Sequence, residues 1–135
     1  MSRENVEIVR AIYEALANRD ATTPYELYAP DIEWDVGDQW MGVGVGRIFH
    51  GHEGVRTFWR ELLSEFPVAD FAVEDLVDAG DHVLAVLQGR FVGRTFGPLP
   101  VGRHYAAWAL RDGKVVRMQV FTDRDEALEA VGLRE

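Results

Sequence analysis

Residues 101–122, VGRHYAAWALRDGKVVRMQVFT, set the architecture of this chain. Both halves of the stretch are rich in Val, Tyr, Trp and Phe, which are the residue types that favour β-strands. Between the halves, Asp112-Gly113 is a turn dipeptide. The stretch therefore predicts two successive antiparallel strands, over residues 101–111 and 114–122.

Two segments of the same composition precede this pair, near residues 69–77 and 82–92. Ala79-Gly80-Asp81 separates the first from the second, and Gly97-Pro98 separates the second from the stretch above. Together the four segments predict an antiparallel meander of four strands.

One further strand is predicted upstream, where Ile32, Trp34 and Val36 alternate with acidic residues as in a half-buried strand. Residues 37–46 follow, with four glycines, and predict a loop or irregular strand. No GK[ST] and no helix follow these glycines directly, so the segment is not a phosphate loop.

Helices are predicted before and after that strand. Apolar residues recur at spacings of three and four over residues 4–16 and again over 51–66, which indicates two amphipathic helices. Between the first of these and the strand, Thr23 is placed to cap a very short helix, and Glu26 to close its capping box.

A last turn or two of helix is predicted after Asp123, which serves as its cap and has no chemical role, and Gly132 closes it. The order of elements predicts one α+β domain over residues 1–135, with helices on one face of a curved sheet. The opposite sheet face carries apolar residues that predict a homodimer through the sheet: Tyr105, Ala107, Ala109, Val115 and Phe121.

The charge balance argues against nucleic acid and anionic membranes as partners. Lys and Arg total 14 against 23 for Asp and Glu, a formal net charge of -9. The chain has no cysteine, so any metal would need His and carboxylate ligands. No signal peptide and no apolar run of about 18 residues is present. We therefore expect a cytoplasmic protein that does not span a membrane.

Three stretches carry a family resemblance: residues 27–34, residues 49–55 and the run from 112–117 to Asp123. They resemble the SnoaL-like branch of the nuclear transport factor 2-like superfamily. The resemblance implies a cone-shaped, strongly bent, mixed or antiparallel sheet, closed by about three helices of the N-terminal half around an apolar pocket. It also implies a homodimer. Relatives include ketosteroid isomerases, limonene epoxide hydrolases, polyketide cyclases and pocket proteins without known chemistry, so the fold alone does not give the reaction.

The catalytic positions of the isomerases map onto apolar residues of this chain. Isomerases use a carboxylate base, and they hold the enolate with a tyrosine and a protonated acid. The tyrosine position falls at Ile12 and the acid position at Ala106. The base falls at Val36 or, one residue off, at Asp35. The resemblance therefore disfavours isomerisation of the steroid type.

The positions of the hydrolases and cyclases are also apolar here. The last-strand acid of both groups falls at Val120, and the arginine and second acid of the hydrolases fall near Leu87 and Gly89. A one-residue slip of strand register would instead turn polar neighbours inward. These neighbours are Asp35, Gln88, Arg90 and Gln119.

The favoured interpretation is an apolar pocket that binds a small hydrophobic molecule, without a cofactor. The predicted lining is Ile12, Trp34, Val36, Trp40, Phe58, Leu87, Ala106, Trp108, Met118 and Val120. The first alternative is a cofactor-free isomerase, cyclase or hydrolase. The second is an interaction protein whose pocket is filled by its own side chains.

In the enzyme alternative Asp35 or His104 is the acid or base and Tyr13 is the donor. Each of these residues also has a purely structural interpretation: Asp35 solvated on the outer face, His104 in solvent at a strand end, and Tyr13 packed in the helix stripe. His50, His52 and Glu53 stand where a loop meets a helix and lack a third fixed ligand, so no metal site is predicted.

Overall fold

The computed structural model describes residues 2–37, 48–95 and 97–133. The helices and strands of this part of the chain follow the predicted order, with one short strand, Ile48–His50, that was not predicted. The elements are α1 (Ser2–Ala17), α2 (Thr23–Leu27), β1 (Tyr28–Asp35), β2 (Ile48–His50), α3 (Gly51–Glu65), β3 (Val68–Ala79), β4 (His82–Gly93), β5 (Gly97–Arg111), β6 (Lys114–Phe121) and α4 (Arg124–Ala130). Most of the glycine-rich segment and Trp40 lie outside the described residues.

The described strands form one mixed sheet in the order β2-β1-β6-β5-β4-β3. Strands β3 to β6 are the predicted antiparallel meander. Strand β1 joins its end in parallel, with Trp34 opposite Met118, and β2 pairs antiparallel with β1. The sheet is strongly curved and does not close. The α+β class and the bent mixed sheet are therefore confirmed.

The concave face of the sheet holds the main hydrophobic core. Because side chains alternate along a strand, β5 turns Ala106 and Trp108 to this face. Helix α1 contributes Val9 and Ile12. Helix α3 contributes a further stripe at helical spacing: Val55, Phe58 and Leu62. Helix α1 packs on β3 and β4, and α3 packs on β1 and β2, so both amphipathic helices bury their apolar stripes against one sheet face.

Helix α4 packs on the other, convex face, so the expectation that all helices share one face is wrong. Its Ala127, Leu128 and Val131 form a second core with Leu84, Tyr105 and Ala107. Tyr105 and Ala107, expected on an open dimer face, are thereby buried. Val115, also expected there, is fully buried in the main core, because a bulge between Ala109 and Leu110 shifts the register.

The caps of the two short helices differ in how well the sequence predicted them. Asp123 caps α4 as expected, and its side chain accepts hydrogen bonds from the backbone N–H of Asp125 and Glu126. For α2 the predicted box is wrong, because Thr22 occupies the N-cap without a side-chain bond. The carboxylate of Asp20 instead accepts from the backbone N–H groups of Thr22 and Thr23 and from the Thr23 hydroxyl.

The length of the described helices bears on membrane insertion. None of them combines the length and the apolar character that a bilayer crossing requires.

Candidate functional site

A small cavity, here called the inner cavity, lies between the concave face of the sheet and helices α1 and α3. Its volume is about 30 Å³. Strand alternation on β4, β5 and β6 turns Leu87, Ala106 and Val120 into it. Such a volume accommodates about two water molecules, so side chains fill most of the cone.

A larger cavity, here called the outer cavity, lies beside it, between the end of α1, α2, α3 and the start of β3. Its volume is about 330 Å³, which is within the range of small-molecule sites. Leu16, Trp59 and Phe71 line both cavities. These three side chains therefore stand between the outer cavity and the inner one.

Aromatic rings in mutual contact form much of the wall of the inner cavity. The ring of Trp34 lies 5.7 Å from that of Phe58, tilted by 51°, and 5.8 Å from that of Trp108, edge-on, measured between centroids. Trp59 also meets Phe71 edge-on, at 6.1 Å. Contacts of this kind add to the free energy of burial and fix the rings in place.

Tyr13 lines the inner cavity from α1. Its hydroxyl oxygen accepts a hydrogen bond of 3.1 Å from the indole Nε1 of Trp108. Burial raises the pKa of Tyr13 far above its ordinary value, against the smaller opposing effect of this bond. The hydroxyl therefore keeps its proton, and it can donate that proton to a group inside the cavity.

His104 lines the same cavity from β5, with only 2% of its surface exposed, so it is not a strand-end histidine in solvent. Its Nδ1 lies 3.5 Å from the carbonyl oxygen of Gly102, and its ring lies 5.8 Å from that of Phe71. Burial lowers the pKa of His104, outweighing the contact with Gly102. The imidazole is therefore uncharged at neutral pH.

Asp35 lies apart from Tyr13 and His104, because Trp34 of β1 and Val36, just after β1, turn inward, whereas Asp35 turns outward. One carboxylate oxygen accepts from the backbone N–H of Gly37 at 3.0 Å. The other lies 3.7 Å from the guanidinium of Arg117. Asp35 lines neither cavity, so the structure does not bring it together with the other two predicted catalytic residues.

Most of the predicted pocket residues line the inner cavity. They are Trp34, Phe58, Leu87, Ala106, Trp108, Met118 and Val120. Ile12 and Val36 are fully buried in the core beside it instead. Of the two registers left open by the sequence, the structure has the one that turns Leu87 and Val120 inward. Gln88 and Arg90 face Glu74 and Asp70 on the outside.

Three residues of the inner wall were not among the predicted site residues, and neither was any described residue of the outer cavity. Of the three, Leu16 and Trp59 belong to the apolar stripes of α1 and α3, and Phe71 alternates with exposed residues on β3, so the signal was present in the helical and strand periods. Tyr28 is among the residues that line the outer cavity. It stands at the junction of α2 and β1, where no period indicates its direction.

Charged groups and candidate metal ligands lie away from the inner cavity in the described part of the chain. Its lining there contains no carboxylate and no cation, whereas Arg19, Asp20 and Asp70 line the outer cavity. Among the described residues no group of three His, Asp or Glu side chains could hold a metal ion. His52 Nε2 lies 3.1 Å from the carbonyl oxygen of Tyr28, and Glu53 pairs with Arg56.

This cone of curved sheet with an apolar interior is the architecture implied by the sequence motifs, and family comparison agrees. Residues 9–118 match the model of the SnoaL-like domain, so the chain belongs to this family. No curated protein matches the chain.

Solved structures of similar proteins cover nearly the whole chain. A nuclear transport factor 2-like protein of Burkholderia thailandensis is 29% identical, with a TM-score of 0.76, over 87% of this chain and 89% of that one. TerC, co-crystallised with polyporic acid, is 26% identical, with a TM-score of 0.77, over 95% and 98%. A nuclear transport factor 2-like protein of Burkholderia pseudomallei shares the fold, with a TM-score of 0.80 at 22% identity, over 96% and 98%.

Proposed function

We propose that this SnoaL-like protein binds a small hydrophobic molecule in its two adjoining cavities. The observation that carries the proposal is the chemistry of the inner wall: its described residues are aromatic and aliphatic, and their polar groups, at Tyr13, Trp34, His104 and Trp108, are uncharged. Burial of apolar surface then drives binding, by roughly 25 cal/mol per Å² before the costs of ordering the ligand.

The volumes of the two cavities determine where such a ligand can bind. The inner cavity, at about 30 Å³, is too small for an organic molecule, whereas the outer cavity, at about 330 Å³, is large enough. We therefore place the body of the ligand in the outer cavity. A part of it reaches the inner wall when Trp59 and Phe71 turn aside. TerC, a relative of similar length, was crystallised with polyporic acid, and a small-molecule ligand in this fold supports the proposal.

The second candidate function is a cofactor-free isomerase, cyclase or hydrolase. It is favoured by one observation, that Tyr13 and His104 line the same cavity as a hydroxyl donor and an uncharged base. Asp35 is not favoured as the base in this hypothesis, because it points to the convex face and lines neither cavity. The family positions for acids, at Ala106 and Val120, hold no titratable group.

Two further proposals concern the molecule as a whole. We propose a homodimer that forms through the part of the convex face not covered by α4. We also propose the cytoplasm as its compartment, on the absence of cysteine.

Binding and turnover are tested together with a panel of small enones, epoxides and polyketide-like ketones. Tryptophan fluorescence reports binding, and chromatography reports product. We expect binding without turnover, weakened about tenfold or more in Trp59→Ala, because that ring lines both cavities. Ile48→Ala is the matched control, since Ile48 is exposed and lines neither cavity.

Two outcomes would contradict the binding proposal. Turnover that disappears in His104→Gln would establish the enzyme hypothesis instead. Failure of every compound to bind would leave the cone as a scaffold filled by its own side chains, which is the interpretation as an interaction protein.

A further inference from the structure

Two buried hydrogen-bond donors lie at the boundary of the cavities without a partner. The hydroxyl of Tyr28 and the indole Nε1 of Trp34 each find no hydrogen-bond partner within residues 2–37, 48–95 and 97–133. Each residue has only 2% of its surface exposed. Buried donors are nearly always satisfied in folded proteins, so this pair requires an explanation.

The positions of the two donors connect them to the ligand site. Tyr28 lines the outer cavity and Trp34 lines the inner one. Their rings are in edge contact, with centroids 5.7 Å apart, and Trp34 also contacts Trp59, which lines both cavities. A molecule that extends from the outer cavity towards the inner wall therefore passes the side chains of both residues.

The protonation state of Tyr28 determines which ligand group the two donors can bind. Burial, and to a smaller extent the neighbouring Tyr25 and Tyr13, raise the pKa of Tyr28 well above its ordinary value, so its hydroxyl stays protonated. An indole N–H is a donor only. The complementary group is therefore an acceptor oxygen. A carboxylate is disfavoured, because the chain carries a net charge of -9 and the inner wall offers no cation among the described residues. In the outer cavity Arg19 is accompanied by two carboxylates, those of Asp20 and Asp70.

We propose that Tyr28 and Trp34 together recognise the carbonyl oxygen of an uncharged aromatic ligand, such as an aryl ketone or a quinone. This inference rests on the proposed binding function and names the ligand class for that site. Tyr28 is then the residue that distinguishes a carbonyl compound from a hydrocarbon of the same shape, because the hydrocarbon leaves both donors unpaired.

The test uses three naphthalene probes of matched shape: 2-acetylnaphthalene, 2-ethylnaphthalene and 2-naphthoate. Titration calorimetry measures each dissociation constant for the original protein, for Tyr28→Phe and for Tyr25→Phe. We expect the original protein to bind the ketone about tenfold more tightly than the hydrocarbon, and the naphthoate no better than the hydrocarbon. Tyr28→Phe removes most of this preference while its affinity for the hydrocarbon is unchanged.

Tyr25→Phe is the matched control, because Tyr25 lines the same cavity and its ring lies 5.4 Å from that of Tyr28. This variant keeps the ketone preference. If no probe binds the original protein, the proposed function itself fails. If all probes bind but Tyr28→Phe keeps the full ketone preference, the site stands and the role of Tyr28 is overturned.

A second measurement separates recognition from a structural role. Because the Tyr28 hydroxyl has no partner among the described residues, its removal leaves no other group unpaired. The melting temperature of free Tyr28→Phe is therefore expected to equal or exceed that of the original protein. In the original protein, addition of the ketone also shifts the Trp34 indole N–H resonance, assigned with Trp34→Phe, whereas the hydrocarbon shifts it less. A lower melting temperature, or equal shifts, would contradict the inference.

Discussion

His104 is an ionisable side chain in a place that does not favour its charge. Apolar neighbours surround it on the concave face, and burial lowers the pKa of the folded protein's imidazole below the ordinary value of 6.5. The unfolded chain keeps the ordinary value. The two states therefore bind different numbers of protons in the acid range, and stability depends on pH there.

The sign of this dependence follows from the lowered pKa. Above about pH 6.5 both states are uncharged at this residue, and the full stability is present. As the pH falls below that value, the unfolded state gains a proton first, so the free energy of unfolding decreases until the folded pKa is passed. We expect His104→Gln to lack this decrease, since it has no proton to gain.

The measurement is denaturation by urea at several pH values from about 5 to 8, for the original protein and for His104→Gln. The other three histidines are common to both proteins, so the difference between the two curves reports His104. Parallel curves throughout this range would show that the folded imidazole titrates as it does in the unfolded chain.

At the level of elements, helix α3 shows how apolar residues at helical spacing contribute to stability. Phe58 and Leu62 are central in its stripe, with 2% and 0% of their surface exposed. Truncation of either to Ala leaves a cavity that the curved sheet cannot refill. We expect a loss of about 3 kcal/mol or more in the free energy of unfolding.

Leu63→Ala is the matched control, because Leu63 is adjacent and 40% exposed, and it is expected to lose about 1 kcal/mol or less. Equal losses at Leu62 and Leu63 would contradict this packing.

Elements with a strong local period were predictable from the sequence, whereas the pairing of β1 with a distant strand and the existence of β2 were not. Helix α3 and strands β3 to β6 are each long enough to contain several repeats of their apolar pattern. Asp123 caps α4 through hydrogen bonds to residues two and three positions later in the chain. Strand β2 has only three residues, which are too few for its alternation to be recognised in the sequence. Its place comes from pairing with β1, and that of β1 from parallel pairing with β6, far along the chain.

At the level of the whole molecule, one part of the candidate site was predictable from the sequence and another part was not. The family resemblance implied that Leu87, Ala106 and Val120 occupy pocket positions, and the pairing across β4, β5 and β6 brings them together on the concave face. The volumes of the cavities were not predictable, because they depend on how rings from different elements pack together. Trp59 on α3 and Phe71 on β3 meet only in the folded chain, and their contact separates the inner cavity from the outer one.

The convex face is the surface through which we propose that two copies associate. Helix α4 already covers Tyr105 and Ala107, but Ala109 and Phe121 remain half-buried beside it. Next to them Arg117 lies within 3.6 Å of Glu33 and 3.7 Å of Asp35. A two-fold axis through this face brings apolar strands together and sets each arginine near carboxylates of the partner.

The state of association is measured by light scattering at micromolar concentration. We expect twice the chain mass of 15.3 kDa for the original protein. Ala109→Arg places a bulky charge at the centre of the face and is expected to yield the single chain, because a charge buried without a partner at an interface is unfavourable. Ala17→Arg is the matched control, because Ala17 is exposed at the end of α1 on the concave side, and this variant keeps the dimer. A single-chain mass for the original protein would refute the dimer. A dimer that persists in Ala109→Arg would place the interface elsewhere.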